Sequence, residues 1–217
     1  MILIRQELLA FLRGGINSLL FVGLTTLSWG IMMGSYPLSS FELTTLLWVL
    51  FYALVTSAGI TSTVFIRERQ SGNLEILLVS GVSRKEIALS KIAFSFGVTS
   101  LMGGVTLLVA TLFSVAVFGE SVTVSALAKY YVVYLFGAAL MVSSSAWLAL
   151  VLDNPRTVYI LNFLLLSVIS VLFITLATFF ESYGMALLVI FIPLPLLFVW
   201  LTYRQLFKES VIRRPLL

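Results

Sequence analysis

The spacing of its charges constrains this chain more than any other feature. Six runs, residues 16–35, 43–66, 92–118, 130–152, 157–180 and 185–203, hold no Asp, Glu, Lys or Arg. A helix needs roughly 20 mainly apolar residues to cross the hydrocarbon of a bilayer, and each run is near or above that length. The last run also contains Pro193 and Pro195, which free backbone carbonyls and predict a kink. Of the 217 residues 60% are hydrophobic and 10% charged, with a mean hydropathy of +1.13. A soluble domain carries roughly 25% charged residues, so lipid must cover this surface. The expected fold is an all-α membrane protein with six transmembrane helices, and the length suits a single membrane domain, residues 1–217.

The charges between the runs set the orientation. With the N-terminus in the cytoplasm, Arg5, Arg13, Arg67, Arg69, Arg84, Lys85, Lys91, Arg156, Arg204, Lys208, Arg213 and Arg214 all fall on the cytoplasmic side, and Lys129 alone falls outside. The outer connections carry Glu42, Glu120 and Glu181. This is the positive-inside pattern, and it explains the net charge of +4 without a nucleic-acid partner. A plasma-membrane protein with both termini cytoplasmic is expected. Trp29 and Trp48 fall toward outer ends of their runs, Trp147 and Trp200 toward inner ends, as an aromatic belt requires. Residues 1–13 read as an amphipathic helix lying in the interface, with Ile4, Leu8, Phe11 and Leu12 on one face; the alternative is the first turns of a longer membrane helix. No cleavable signal peptide is expected. The basic tail, residues 204–217, either lies against anionic lipid or is a solvated end.

The one charge-dense stretch between two apolar runs is 67–91, R-E-R-Q-S-G-N-L-E-I-L-L-V-S-G-V-S-R-K-E-I-A-L-S-K. Leu74, Leu77 and Leu78 recur at i, i+3 and i+4, which predicts a short amphipathic helix over 73–80. Gly81 stands where such a helix ends in a left-handed residue. Ser83 and Glu86 have the spacing of a capping box, with Val82 and Ile87 at the positions of a hydrophobic staple. Asn154-Pro155 is a second restart signal, Asn as N-cap and Pro at the first helical position. From pattern alone, 67–91 is either an ordinary charged membrane loop or the place where a lipid-bound protein meets a soluble partner.

The segment E-R-Q-S-G-N-L-E-I-L-L-V-S-G-V-S-R, residues 68–84, resembles the signature that joins the second and third membrane helices of ABC-transporter permeases of the type-2 exporter family. The chain departs from that signature at Asn73, where Thr is usual, and at Gly81, where Pro is usual. The resemblance implies a permease subunit of an ATP-driven exporter with no ATPase of its own. It would pair with a second permease copy or a homologue, and bind a separate ABC ATPase subunit that carries the ATP and magnesium. In that family the segment is a coupling helix. The resemblance places the contact with the ATPase at Glu68, Arg69, Ser71, Gly72, Leu74 and Glu75, and continues it through Leu77, Leu78, Ser80, Ser83 and Arg84. The second and fifth helices of the family line the translocation path. Here they offer Ser57 and Thr61 on one and Asn162, Ser167 and Ser170 on the other, residues that equally suit close helix packing.

Other chemistries find no footing. There is no cysteine and no histidine, which removes disulfides, thiol and imidazole catalysis and zinc–thiolate sites. The runs lack the intramembrane acid or base that marks a proton pathway, although sodium sites made of carbonyls and hydroxyls stay open. The sole aspartate, Asp153, cannot supply an aspartyl-protease pair, and no G-x-x-x-x-G-K-[S/T] loop exists to bind ATP. No catalytic, cofactor or metal site is therefore expected in the chain. Two other readings remain beside the permease: a non-transporting scaffold that docks a soluble partner, and an ion-coupled carrier. The identity of the cargo is not written in these residues.

Overall fold

A computed structural model describes residues 16–36, 38, 43–70, 72, 76–77, 81–119, 122–152 and 154–207, the side chains of 16–22, 43–44, 63 and 67 apart. The expected interface helix 1–13, and Ser71, Leu74, Glu75, Leu78 and Ser80 of the coupling segment, lie outside these residues. The elements are α1 (Ile16–Gly34), α2 (Leu43–Gln70), α3 (Arg84–Phe118), α4 (Val124–Val151), α5 (Pro155–Phe179), α6 (Tyr183–Phe191) and α7 (Pro193–Gln205). In lipid a spanning segment must satisfy its backbone internally, and the helix does so within one segment. Five spans are long and apolar enough to cross a membrane, with α6 and α7 forming one of them, Tyr183–Gln205. α1, the counterpart of the first expected span, has 19 residues.

Local signals place the helix ends. Asn154 caps α5 by accepting from the Arg156 N–H at 2.9 Å, with Pro155 at the first helical position. Thr123 caps α4 and Ser182 caps α6 through their hydroxyls. The expected kink is a break: α6 stops at Phe191, and α7 restarts at Pro193, which has no N–H to continue the ladder. The capped helix beginning at Arg84 and the apolar run 92–118 are one uninterrupted helix of 35 residues. At about 1.5 Å per residue it is about 52 Å long, well beyond the roughly 30 Å of hydrocarbon.

α2 and α4 form the interior. Their spanning windows are 76% and 72% buried, against 33% for α3 and 28% for α5 and for the last span. α2 packs most extensively on α4, and α4 in turn meets α3, α5, α6 and α7. α1 lies along α3, where Gly30 and Gly34, one turn apart, bring the backbones together. A Cβ on Gly30 would stand 2.6 Å from Val109 Cγ1, and one on Gly34 would overlap the Ala110 carbonyl. Small residues at such a seam let van der Waals packing do the work that the hydrophobic effect cannot do in lipid. Trp29 and Trp48 meet at 6.1 Å between ring centroids, and Trp29 also stacks near Tyr52.

Tyrosines tie the interior helices together through polar groups. Tyr134 of α4 donates to the Thr99 carbonyl of α3 at 2.8 Å and shares a hydrogen bond with Thr56 of α2 at 3.1 Å. Thr106 of α3 bonds Tyr52 of α2 at 2.6 Å. Gly97, Gly103 and Gly104 lie within α3, and at Gly103 the space of the missing side chain is filled by the Tyr134 ring.

Candidate functional site

The ends of α2 and α4 and the starts of α3 and α5 gather at one end of the bundle, where Glu68, Arg69, Arg84, Lys85, Glu86, Lys91, Arg156 and Arg204 also stand. The connection between α2 and α3 is bracketed by two glycines in left-handed conformations, Gly72 at φ 72 and Gly81 at φ 81. Only glycine adopts such angles without Cβ strain. After the first turn the Ile76 N–H donates to the Gly72 carbonyl at 3.2 Å, a helical i to i+4 bond, and Ile76 and Leu77 are helical. The chain then re-enters the bundle through the expected capping box. Ser83 Oγ accepts from the Glu86 N–H at 3.2 Å, and the Ser83 N–H donates to Glu86 Oε2 at 3.3 Å. Val82 and Ile87 pack into one apolar cluster with Phe65, Ala149 and Leu206, as a staple would.

Glu68 and Arg69 do not project from the bundle. Glu68 pairs with Lys91 of α3, whose side chain is 2% exposed. Arg69 Nη1 donates to three carbonyls at the end of α4: Ala149 at 3.1 Å, Leu150 at 3.0 Å and Leu152 at 3.4 Å. The last carbonyls of a helix lack partners within it and carry the negative end of its dipole, so a guanidinium there satisfies both. Leu77 likewise turns inward and packs against the Phe65–Ile87 cluster. Arg84 lies over the Phe207 ring at 4.7 Å, which ties the start of α3 to the end of α7. Among the described residues here, Gln70, Gly81, Ser83, Lys85 and Glu86 are exposed, together with Ile76, a large apolar side chain 67% exposed.

The residues offered for a path are divided between inside and outside. Ser57 and Thr61 of α2 are fully buried and their hydroxyls find no partner among the described residues. Asn162 of α5 is also fully buried. Its amide nitrogen donates to Ser145 Oγ at 2.9 Å and its oxygen accepts from Ser144 at 2.7 Å, so it joins α5 to α4. Ser167 is exposed on the outer side of α5, its hydroxyl returned to the Phe163 carbonyl at 2.9 Å, and Ser170 is half-buried. Lys91, the ion-pair partner of Glu68, is not among the residues that the resemblance placed at the contact. Its burial could have been suspected from its position, four residues after the apolar Ile87 and three before Phe94, on the inward stripe of α3. Among the described residues no three His, Cys, Asp or Glu side chains come together to hold a metal.

The model of the ABC-2 type transporter family matches residues 1–180. The chain belongs to that family. It is the permease component of an ABC transporter, a multi-pass membrane protein of a family that transports and does not itself catalyse, works with an ABC ATPase and often dimerises. The match takes in α1 to α5 and stops at Phe180, the C-cap of α5, so the broken last span of this ABC-2 permease lies beyond it. No curated protein and no solved structure matches the chain.

Proposed function

We propose that the chain is the membrane subunit of an ATP-driven exporter, that two permease subunits enclose the path, and that residues 71–83 receive the stroke of a separate ATPase. In this reading α1 crosses the bilayer as well, which gives six spans, and the charged end of the bundle is cytoplasmic. The observation that carries the reading is the length of α3. A helix of 35 residues that begins at a capping box and is longer than the bilayer is thick raises the α2–α3 connection out of the lipid. A motor in water can act on lipid-buried helices only through such a protruding element. Ile76, exposed on that connection, supplies the apolar anchor such a contact needs. The weakly polar groups of α2 and α5, Ser57 and Thr61 with Asn162, Ser167 and Ser170, are assigned to the path, reached when the two protomers rearrange around it.

The test is co-purification of the chain with a soluble ABC ATPase, followed by ATP hydrolysis in lipid. The chain alone is expected to hydrolyse no ATP, and the complex to do so. A chain that captures a soluble partner without ATPase activity would favour the scaffold reading instead.

A further inference from the structure

We propose that Glu68 and Arg69 are positioning residues that act as a latch, locking the ends of α2, α3 and α4 into one body at the two helix ends that residues 71–83 connect. The inference rests on the coupling role proposed for that segment. The two residues are neighbours on α2, about 100° apart around the helix, and they reach different helices. Glu68 holds Lys91 of α3, and Arg69 holds the Ala149, Leu150 and Leu152 carbonyls of α4. Apolar contacts between helices permit sliding, whereas charge-assisted hydrogen bonds fix distance and direction. A push delivered at 71–83 therefore displaces three helix ends together. Without the latch it would swing the α2–α3 connection alone, and the ATPase would turn over without moving α4, the helix at the centre of the bundle.

The burial of the pair is unequal, and this decides which variant to use. Lys91 is 2% exposed and Glu68 20%. Removing Glu68 takes an ion-pair partner from a cation that is 2% exposed, which damages the fold. Removing Lys91 leaves a carboxylate that can reach water. Lys91→Met keeps the stem and loses only the charge, so it tests the latch with the least harm to folding, and Arg69→Gln tests the second arm independently.

The chain has no cysteine of its own, so spin labels can be placed in pairs at exposed positions before the ATPase is added: Gln70→Cys with Lys85→Cys reads α2 against the start of α3, and Gln70→Cys with Arg156→Cys reads α2 against the corner between α4 and α5. The full chain is placed in nanodiscs, with and without its ATPase subunit under ATP and vanadate. With the latch intact, the distance distribution of each pair is a single narrow population. Lys91→Met widens the distribution between positions 70 and 85, and Arg69→Gln that between 70 and 156, at least twofold at parental membrane abundance, and Lys91→Met keeps parental ATPase capture. Glu68→Lys combined with Lys91→Glu regains the narrow distribution. Unchanged widths in Lys91→Met and Arg69→Gln overturn the latch, as does a combined swap as broad as Lys91→Met. A loss of abundance and capture together in both single variants also overturns it, because the residues would then serve folding alone. Failure of the parent chain to capture any ATPase sinks the coupling role instead, and the widths measured without ATPase still decide whether the three helix ends are locked.

Discussion

Gly103 of α3 lies against the ring of Tyr134 of α4 so closely that a Cβ on the glycine would overlap the ring carbons. The same ring carries the hydroxyl that bonds Thr99 and Thr56, so the glycine permits a contact on which three helices depend. Gly103→Ala is expected to destabilise the protein by about 1–3 kcal/mol, the usual cost of overpacking. Gly97, on the same helix, has nothing within 4 Å of its missing Cβ. There Gly97→Ala should be neutral, or stabilising by up to about 1 kcal/mol through helix propensity. Unfolding midpoints of the two variants in detergent check the contrast, and equal midpoints would refute it.

Asn162 joins α5 to two consecutive serines of α4. Asn162→Ala removes both bonds and leaves a void, while its neighbour Leu161 is exposed. The expected cost is about 1–2 kcal/mol, in the range measured for hydrogen bonds between membrane helices. Leu161→Ala should cost less than half of that. The same unfolding measurement compares the two.

The proposed topology rests on the charges. In sealed cells an impermeant thiol reagent should label Ser121→Cys and Ser182→Cys and leave Gln70→Cys and Lys85→Cys untouched. Labelling of Gln70→Cys from outside would invert the orientation proposed for the whole chain.

What could be read from sequence was what is decided within a few residues. The capping box at Ser83 and Glu86, the left-handed Gly81 and the Asn154-Pro155 start each depend on neighbours in the chain, and each stands in the structure as read. The alternation of charged and apolar runs gave the helices themselves, since lipid leaves few other options. The directions of Glu68, Arg69 and Leu77 were not legible. Arg69 finds its carbonyls 80 and more residues away, and no local pattern tells a guanidinium facing water from one capping a distant helix. Periodicity put Leu77 on an apolar stripe and the resemblance implied its contact with the ATPase, but periodicity does not give what lies opposite a residue, and Leu77 meets the bundle's own cluster. Asn162 stood out by its polarity alone; its two serine partners sit on another helix, and only the fold brings them together.

The central claim is that residues 71–83 meet an ATPase in water, and position 76 tests it most directly. A photo-reactive residue there, in place of the exposed Ile76, is illuminated in membranes containing the ATPase subunit. A second one replaces Leu112, 73% exposed on the flank of α3. The account predicts a cross-link to the ATPase from position 76 and cross-links to lipid or a second permease from position 112. Ile76→Asp should lower ATPase capture at least tenfold, because an unpartnered charge in an apolar contact costs more than the 1.4 kcal/mol that a factor of ten requires. Cross-links from position 76 to lipid alone, with capture by Ile76→Asp unchanged, would contradict the account.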